Sequence, residues 1–126
     1  MTTMPLLVIE DEPSVMSFVR RALERGGYAV VGANSGTHAL ELLASQQFQG
    51  IISDMRTPGS VDGGGVYQWL KINRPELSRR IVYITGDIVN EDTVAILRET
   101  GAPCVEKPFR VQDLISTVEM TIGKAQ

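Results

Sequence analysis

The chain reads as an α/β protein built on an open parallel sheet, and three observations lead to that reading. Short apolar runs recur along it, at Leu6-Leu7-Val8-Ile9, Ile51-Ile52-Ser53, Ile81-Val82-Tyr83-Ile84 and Pro103-Cys104-Val105. Runs this short, without polar alternation, are those of strands buried on both faces. Stretches with helical spacing of apolar residues separate them. Behind each run stands a polar group: Glu10 and Asp11, Asp54, Thr85, and Lys107 after Glu106. In an open α/β sheet the carboxyl ends of the strands line the binding crevice, so these five side chains are expected to converge.

Taken in order, the first helix is opened by Pro13, carries Val15, Phe18, Val19, Ala22 and Leu23 on one face, and ends at Gly26-Gly27. Tyr28 to Ala33 reads as a second strand, followed by Asn34 and no catalytic candidate, which suits a sheet edge. Ser35 is the expected N-cap of a second helix bearing Ala39, Leu40, Leu43 and Ala44. A third helix carries Val66, Trp69 and Leu70 and ends before Pro75. Ahead of it lie Pro58, Gly59 and the triplet Gly63-Gly64-Gly65, whose freedom predicts a late helix start. A fourth helix is expected from about Asn90 to Gly101, and a fifth carries Val111, Leu114, Ile115, Val118 and Ile122. Five strands alternating with five helices, joined by right-handed crossovers, demand helices on both faces of the sheet.

At 126 residues the expectation is one domain over 1–126, with no attached output module. A content of 43% apolar and 21% charged residues is that of a globular chain rather than a disordered one. Twelve basic groups against 15 acidic ones, a net of −3, give no reason to expect nucleic acid or an anionic membrane as partner. The single cysteine, Cys104, leaves no intramolecular disulfide, which agrees with a cytoplasmic location. No run approaches the ~20 apolar residues of a membrane span, and no signal peptide is evident.

Adjacent carboxylates in a cleft either raise a pKa or bind a cation, and Asp54 as a third carboxylate favours the cation. Mg²⁺ takes a few carboxylates and keeps positions open for phosphate oxygens. The simpler reading of Glu10, Asp11 and Glu12 is that acids suit the amino end of the first helix, and Glu12 beside Pro13 fits it. Asp54 alone is an ordinary turn residue; beside a cation its carboxylate can attack phosphorus. Thr85 either starts a turn before Gly86 or donates to a phosphoryl oxygen. Lys107 precedes Pro108, where a cis peptide would turn its ammonium inward, with Phe109 packing beneath. His38, Trp69, Tyr83 and Cys104 are expected to be structural.

The run Leu7-Val8-Ile9-Glu10-Asp11-Glu12-Pro13 resembles the opening of the receiver domain of two-component response regulators. So do Ser53-Asp54 with Pro58 and Asp62-Gly63, Ile84-Thr85-Gly86, and Glu106-Lys107-Pro108-Phe109, in order and at the expected separations. The resemblance implies a flavodoxin-like three-layer fold with strand order 2-1-3-4-5. It further implies a signalling switch in which Asp54 accepts a phosphoryl group from a sensor histidine kinase or a histidine phosphotransfer protein. Glu10, Asp11, Asp54 and the backbone carbonyl of Arg56 would bind Mg²⁺, and Thr85 and Lys107 would contact the phosphoryl oxygens. Such a domain catalyses only its own phosphorylation and dephosphorylation, and reaches a downstream protein through its fourth and fifth helices.

Three departures from the family accompany the match. The family's usual aromatic three residues before the lysine is here Cys104, so the segment from Gly86 to Glu91, with Ile88 and Val89, is expected to carry the response. The loop from Pro58 to Asp62 is one residue longer than usual. Arg56 and Asp87 stand where the family's residues flank the attacking water, and either pair across the mouth of the site and slow hydrolysis or remain two solvated side chains that never meet. The character is that of a hybrid-kinase receiver or a single-domain regulator. A phosphorylation-independent pseudo-receiver is the alternative, against which the complete set Glu10, Asp11, Asp54, Thr85 and Lys107 speaks.

Overall fold

The computed structural model describes residues 4–55 and 63–126. Five strands, β1 (Leu6–Ile9), β2 (Val30–Ala33), β3 (Gly50–Asp54), β4 (Ile81–Thr85) and β5 (Cys104–Glu106), form one parallel sheet in the order β2-β1-β3-β4-β5. The helices are α1 (Pro13–Arg25), α2 (Gly36–Ser45), α3 (Gly63–Asn73), α4 (Glu91–Thr100) and α5 (Val111–Thr121), with a 3₁₀ turn at Leu77–Arg79. The expected α/β class, strand order and number of helices are all observed. Among the described residues, no helix is long and apolar enough to cross a membrane.

Strand alternation divides the core in two. Leu6, Val8, Ile52, Val82, Ile84 and Val105 face α1 and α5, where Val19, Ala22, Leu23, Leu114 and Val118 meet them. Leu7, Ile9, Ile51, Ile81 and Tyr83 face the other way, onto Ala39 and Leu43 of α2 and Val66 and Leu70 of α3. The helix signals act as expected at most ends. Pro13 opens α1, Ser35 Oγ accepts from the amide of His38, and Asn90 Oδ1 accepts from those of Asp92 and Thr93. Gly101, at φ 64°, ends α4 in the left-handed conformation that glycine adopts without strain.

Two expectations are corrected. The helix α3 does not start late: it begins at Gly63, so the glycine triplet forms its first turn. The second strand begins at Val30 rather than Tyr28. Tyr28 is buried instead against the end of α5, its hydroxyl donating to the carbonyl of Gly123 at 2.6 Å.

The helix α2 lacks a glycine stop and is closed from a distance. Arg74, beyond the end of α3, donates to the carbonyls of Leu43 and Gln46 and to Gln47 Oε1, satisfying helix-end acceptors that α2 cannot bond itself. At the foot of β3, Gly50 leaves room for α5: a Cβ there would stand 2.6 Å from two carbons of Ile122. Gly50→Ala is therefore expected to destabilise the fold by about 1–3 kcal/mol through overpacking. The double variant with Ile122→Ala should be more stable than the sum of the two single losses, by about 1 kcal/mol in urea unfolding. Additive losses would show that the two positions do not meet.

Candidate functional site

Parallel register brings the candidate residues into one row. Ile9 pairs with Ser53, so Glu10 and Asp54 leave their strands side by side. Asp54 pairs with Ile84 and Thr85 with Glu106, which sets Thr85 and Lys107 one step further along. The amide of Lys107 donates to the carbonyl of Thr85 at 2.7 Å, pinning the end of β5 to that of β4. The Lys107–Pro108 peptide is cis, as anticipated, and the ammonium turns into the crevice. Phe109 packs partly buried behind it, its ring edge-on to Phe18 at 5.8 Å.

The five side chains form one cluster. Lys107 Nζ lies 3.5 Å from Asp54 Oδ2 and 3.6 Å from Glu10 Oε2. Glu10, Asp11 and Asp54 each offer a carboxylate oxygen, all within 4.8 Å of one another. Glu10 and Asp54 are buried while Asp11 is exposed at the rim. Three carboxylates and one ammonium leave a formal charge of −2 in this small volume. Glu10 carries the consequence: its pKa is pushed up from 4.5 to about 7, first by burial and then by the neighbouring Asp54, against a smaller opposing pull from Lys107. Its Oε1 accepts from the amide of Glu12 at 3.3 Å, whereas Oε2 finds no hydrogen-bond partner among the described residues.

Asp11, Glu12, Asp54, Thr85, Gly86, Asp87 and Lys107 line a cleft of about 360 Å³. A larger depression of about 630 Å³ includes Lys71, Arg79 and Pro103 but none of the clustered acids. Thr85 Oγ1 accepts from the amide of Asp87 at 3.1 Å and keeps its own proton available for a ligand. A Cβ on Gly86 would meet nothing within 4 Å, so the approach to Thr85 is open. Arg56, expected to supply a carbonyl to the metal and a candidate partner of Asp87, lies outside the described residues, as does the loop from Pro58 to Asp62. Asp87 Oδ1 accepts from the amide of Val89.

The donor set fits a hard divalent cation: three carboxylates, no nitrogen or sulfur, excess negative charge, and one buried oxygen that makes no hydrogen bond among the described residues. Glu12 stands at the N-cap position of α1, but its side chain makes no capping hydrogen bond. Cys104 is half-buried against the second core layer, and burial, with Glu106 nearby, pushes its thiol pKa up to about 11, in the direction of an inert packing residue. Sequence reasoning missed Thr93, a buried hydroxyl on α4, because no motif marks it.

The response regulator receiver domain model matches residues 6–119. The chain belongs to that family. It is 30% identical to the response regulator receiver protein CpdR of Brucella abortus over 118 residues, 90% of this chain and 92% of CpdR. It is 28% identical to the DNA-binding transcriptional regulator NtrC of Escherichia coli over 94% of its own length, but spans only 25% of NtrC. The receiver domain of sensor histidine kinase PA1611 from Pseudomonas aeruginosa superposes with a TM-score of 0.85, at 22% identity, over 98% of this chain and 100% of that one. That structure is described with a magnesium ion coordinated in its active-site cleft; at this identity the likeness shows the fold.

The raised pKa of Glu10 makes stability depend on pH, and would make the binding of a cation by the acidic cluster depend on it too. Because its folded value of about 7 lies above the ordinary 4.5, the folded protein holds this proton more tightly than the unfolded chain. Its stabilising contribution is therefore full below about 4.5 and fades as pH rises through 7. A divalent ion competes with that proton, so the increase in Tm on adding Mg²⁺ should be larger at pH 8 than at pH 5.5. Glu10→Gln should flatten the difference. Equal Mg²⁺ stabilisation at both pH values would contradict the arrangement.

Proposed function

We propose that this receiver domain is a phosphoacceptor switch in which Asp54 takes a phosphoryl group from a phosphohistidine donor. Receiver domains are signalling modules that work with histidine kinases and downstream effectors, and the observation supporting the specific reading is the ammonium of Lys107, 3.5 Å from Asp54 Oδ2 at the floor of an open cleft. A carboxylate oxygen of Asp54 attacks phosphorus in line with the leaving nitrogen, giving an acyl phosphate and returning the histidine. The transferred group brings further negative charge to a site whose formal charge is already −2. Lys107 meets that charge from one side, and the hydroxyl of Thr85 donates to a phosphoryl oxygen from the other.

Glu10, Asp11 and Asp54, with the Arg56 carbonyl as the family resemblance implies, would hold Mg²⁺. The ion, when bound, supplies the positive charge that lets phosphoryl oxygens approach three acids. Glu10 and Asp11 fix its place without touching phosphorus. The apolar rim of Val15, Phe18, Pro108 and Phe109 opens directly on Lys107 and suits the docking of a donor protein's helix. The downstream partner is expected at α4 and α5, and the location to be cytoplasmic.

Intact mass after incubation with acetyl phosphate and Mg²⁺ tests the reading. The parent protein should gain one phosphoryl group and Asp54→Asn none, while Lys107→Ala should acquire it roughly 10²-fold more slowly. A parent that binds Mg²⁺ and accepts nothing, from acetyl phosphate or a phosphorylated histidine protein, would instead point to a phosphorylation-independent interaction module.

A further inference from the structure

The helix α4 is seated differently from the other described helices. Val19, Ala22 and Leu23 anchor α1, and Leu114 and Val118 anchor α5, all fully buried aliphatic side chains. In α4 the fully buried residue is a threonine, Thr93, flanked by the partly buried Ile96 and Leu97. Thr93 is 1% exposed, and its Oγ1 has no hydrogen-bond partner among the described residues. A helical threonine ordinarily bonds back to the carbonyl three or four residues earlier. Thr93 is the third residue of α4, so those carbonyls belong to Asn90 and Val89, and the hydroxyl makes neither bond. A buried hydroxyl left unpaired destabilises the state that buries it. Movement of the first turn that wets or pairs this hydroxyl therefore recovers free energy, so the resting seat has a competitor close to it.

A run of short bonds ties this turn to the site. The amide of Asp87 donates to Thr85 Oγ1 at 3.1 Å, that of Val89 to Asp87 Oδ1 at 3.2 Å, and those of Asp92 and Thr93 to Asn90 Oδ1 at 2.9 and 3.4 Å. Side-chain oxygens of Thr85, Asp87 and Asn90 thus each hold a backbone amide further along the connection. Between them Ile88 and Val89 stand exposed at 41% and 82%, so little apolar packing resists a shift.

We infer that Thr93 is the positioning residue of the switch: its unpaired buried hydroxyl leaves the first turn of α4 metastable, and the Thr85–Asp87–Asn90 bonds pass displacement of the Thr85 hydroxyl to it. The inference rests on the phosphoacceptor reading for its trigger. Removing the hydroxyl while keeping the shape stabilises the resting seat and weakens the response. Amide shifts of the isotope-labelled chain, recorded with Mg²⁺ and beryllofluoride as the phosphoryl mimic, test this together with thermal melting. Thr93→Val should raise Tm by about 3 to 6 °C. It should also lose at least half of the shift across residues 91–100, with shifts around Asp54 and Thr85 intact. Thr93→Ser, which keeps the hydroxyl, should retain the α4 response. A Thr93→Val protein with an unchanged or lowered Tm, or an α4 that responds as in the parent, would overturn the inference. If the parent shows no shifts around Asp54 and Thr85, the phosphoacceptor reading fails instead, and the Tm comparison still decides on the seat of Thr93.

Discussion

Mutual repulsion among Glu10, Asp11 and Asp54 is the constraint around which the molecule is arranged. Carboxylate oxygens within 4.8 Å of one another, two of them on buried residues, do not assemble unless something holds them. The sheet does so by brute stability: β1 and β3 are fully buried, and each is bonded on both sides by a parallel neighbour. Lys107 offsets one charge of the three. Burial, and after it the neighbouring Asp54, pushes the pKa of Glu10 up to about 7, so part of the cost of the cluster is met by a held proton. Apolar layers above and below the sheet lower the local dielectric, so each of these charges matters more than it would at a surface.

The fold and most of the site were legible because both depend on patterns short in sequence. Buried parallel strands announce themselves by unbroken apolar runs, and parallel register then lines up whatever follows them. Glu10, Asp54, Thr85 and Lys107 meet for that reason alone. Features that depend on two distant segments escaped. Arg74 closes α2 from beyond the end of α3, and nothing local to Arg74 distinguishes it from a solvated arginine. Tyr28 has the β-propensity of a strand residue, but its ring and hydroxyl are claimed by the end of α5. The three glycines at the head of α3 look like a loop by intrinsic preference, and tertiary packing of Val66 and Leu70 draws them into the helix. Thr93 was invisible because its burial depends on how α4 is rotated over the sheet, which threonine's mid-range polarity does not reveal.

Alternation along the strands gives the site two sides. Glu10, Asp54 and Lys107 fall in step with Val8, Ile52 and Val105, the row that faces α1 and α5. Thr85 falls in step with Ile81 and Tyr83, the row that faces α2, α3 and α4. A phosphoryl group carried by Asp54 and bonded by Thr85 would therefore join the two layers across the end of the sheet. The first layer is held by fully buried aliphatic anchors on both of its helices, and has little freedom to move. The second includes α4, whose deepest anchor is a hydroxyl. A pull applied equally to both layers displaces the one with the shallower energy well. With Asp54 as phosphoacceptor, the alternation of side chains in β4, which places Thr85 in the row facing the weakly seated helix, would select where a signal leaves the domain.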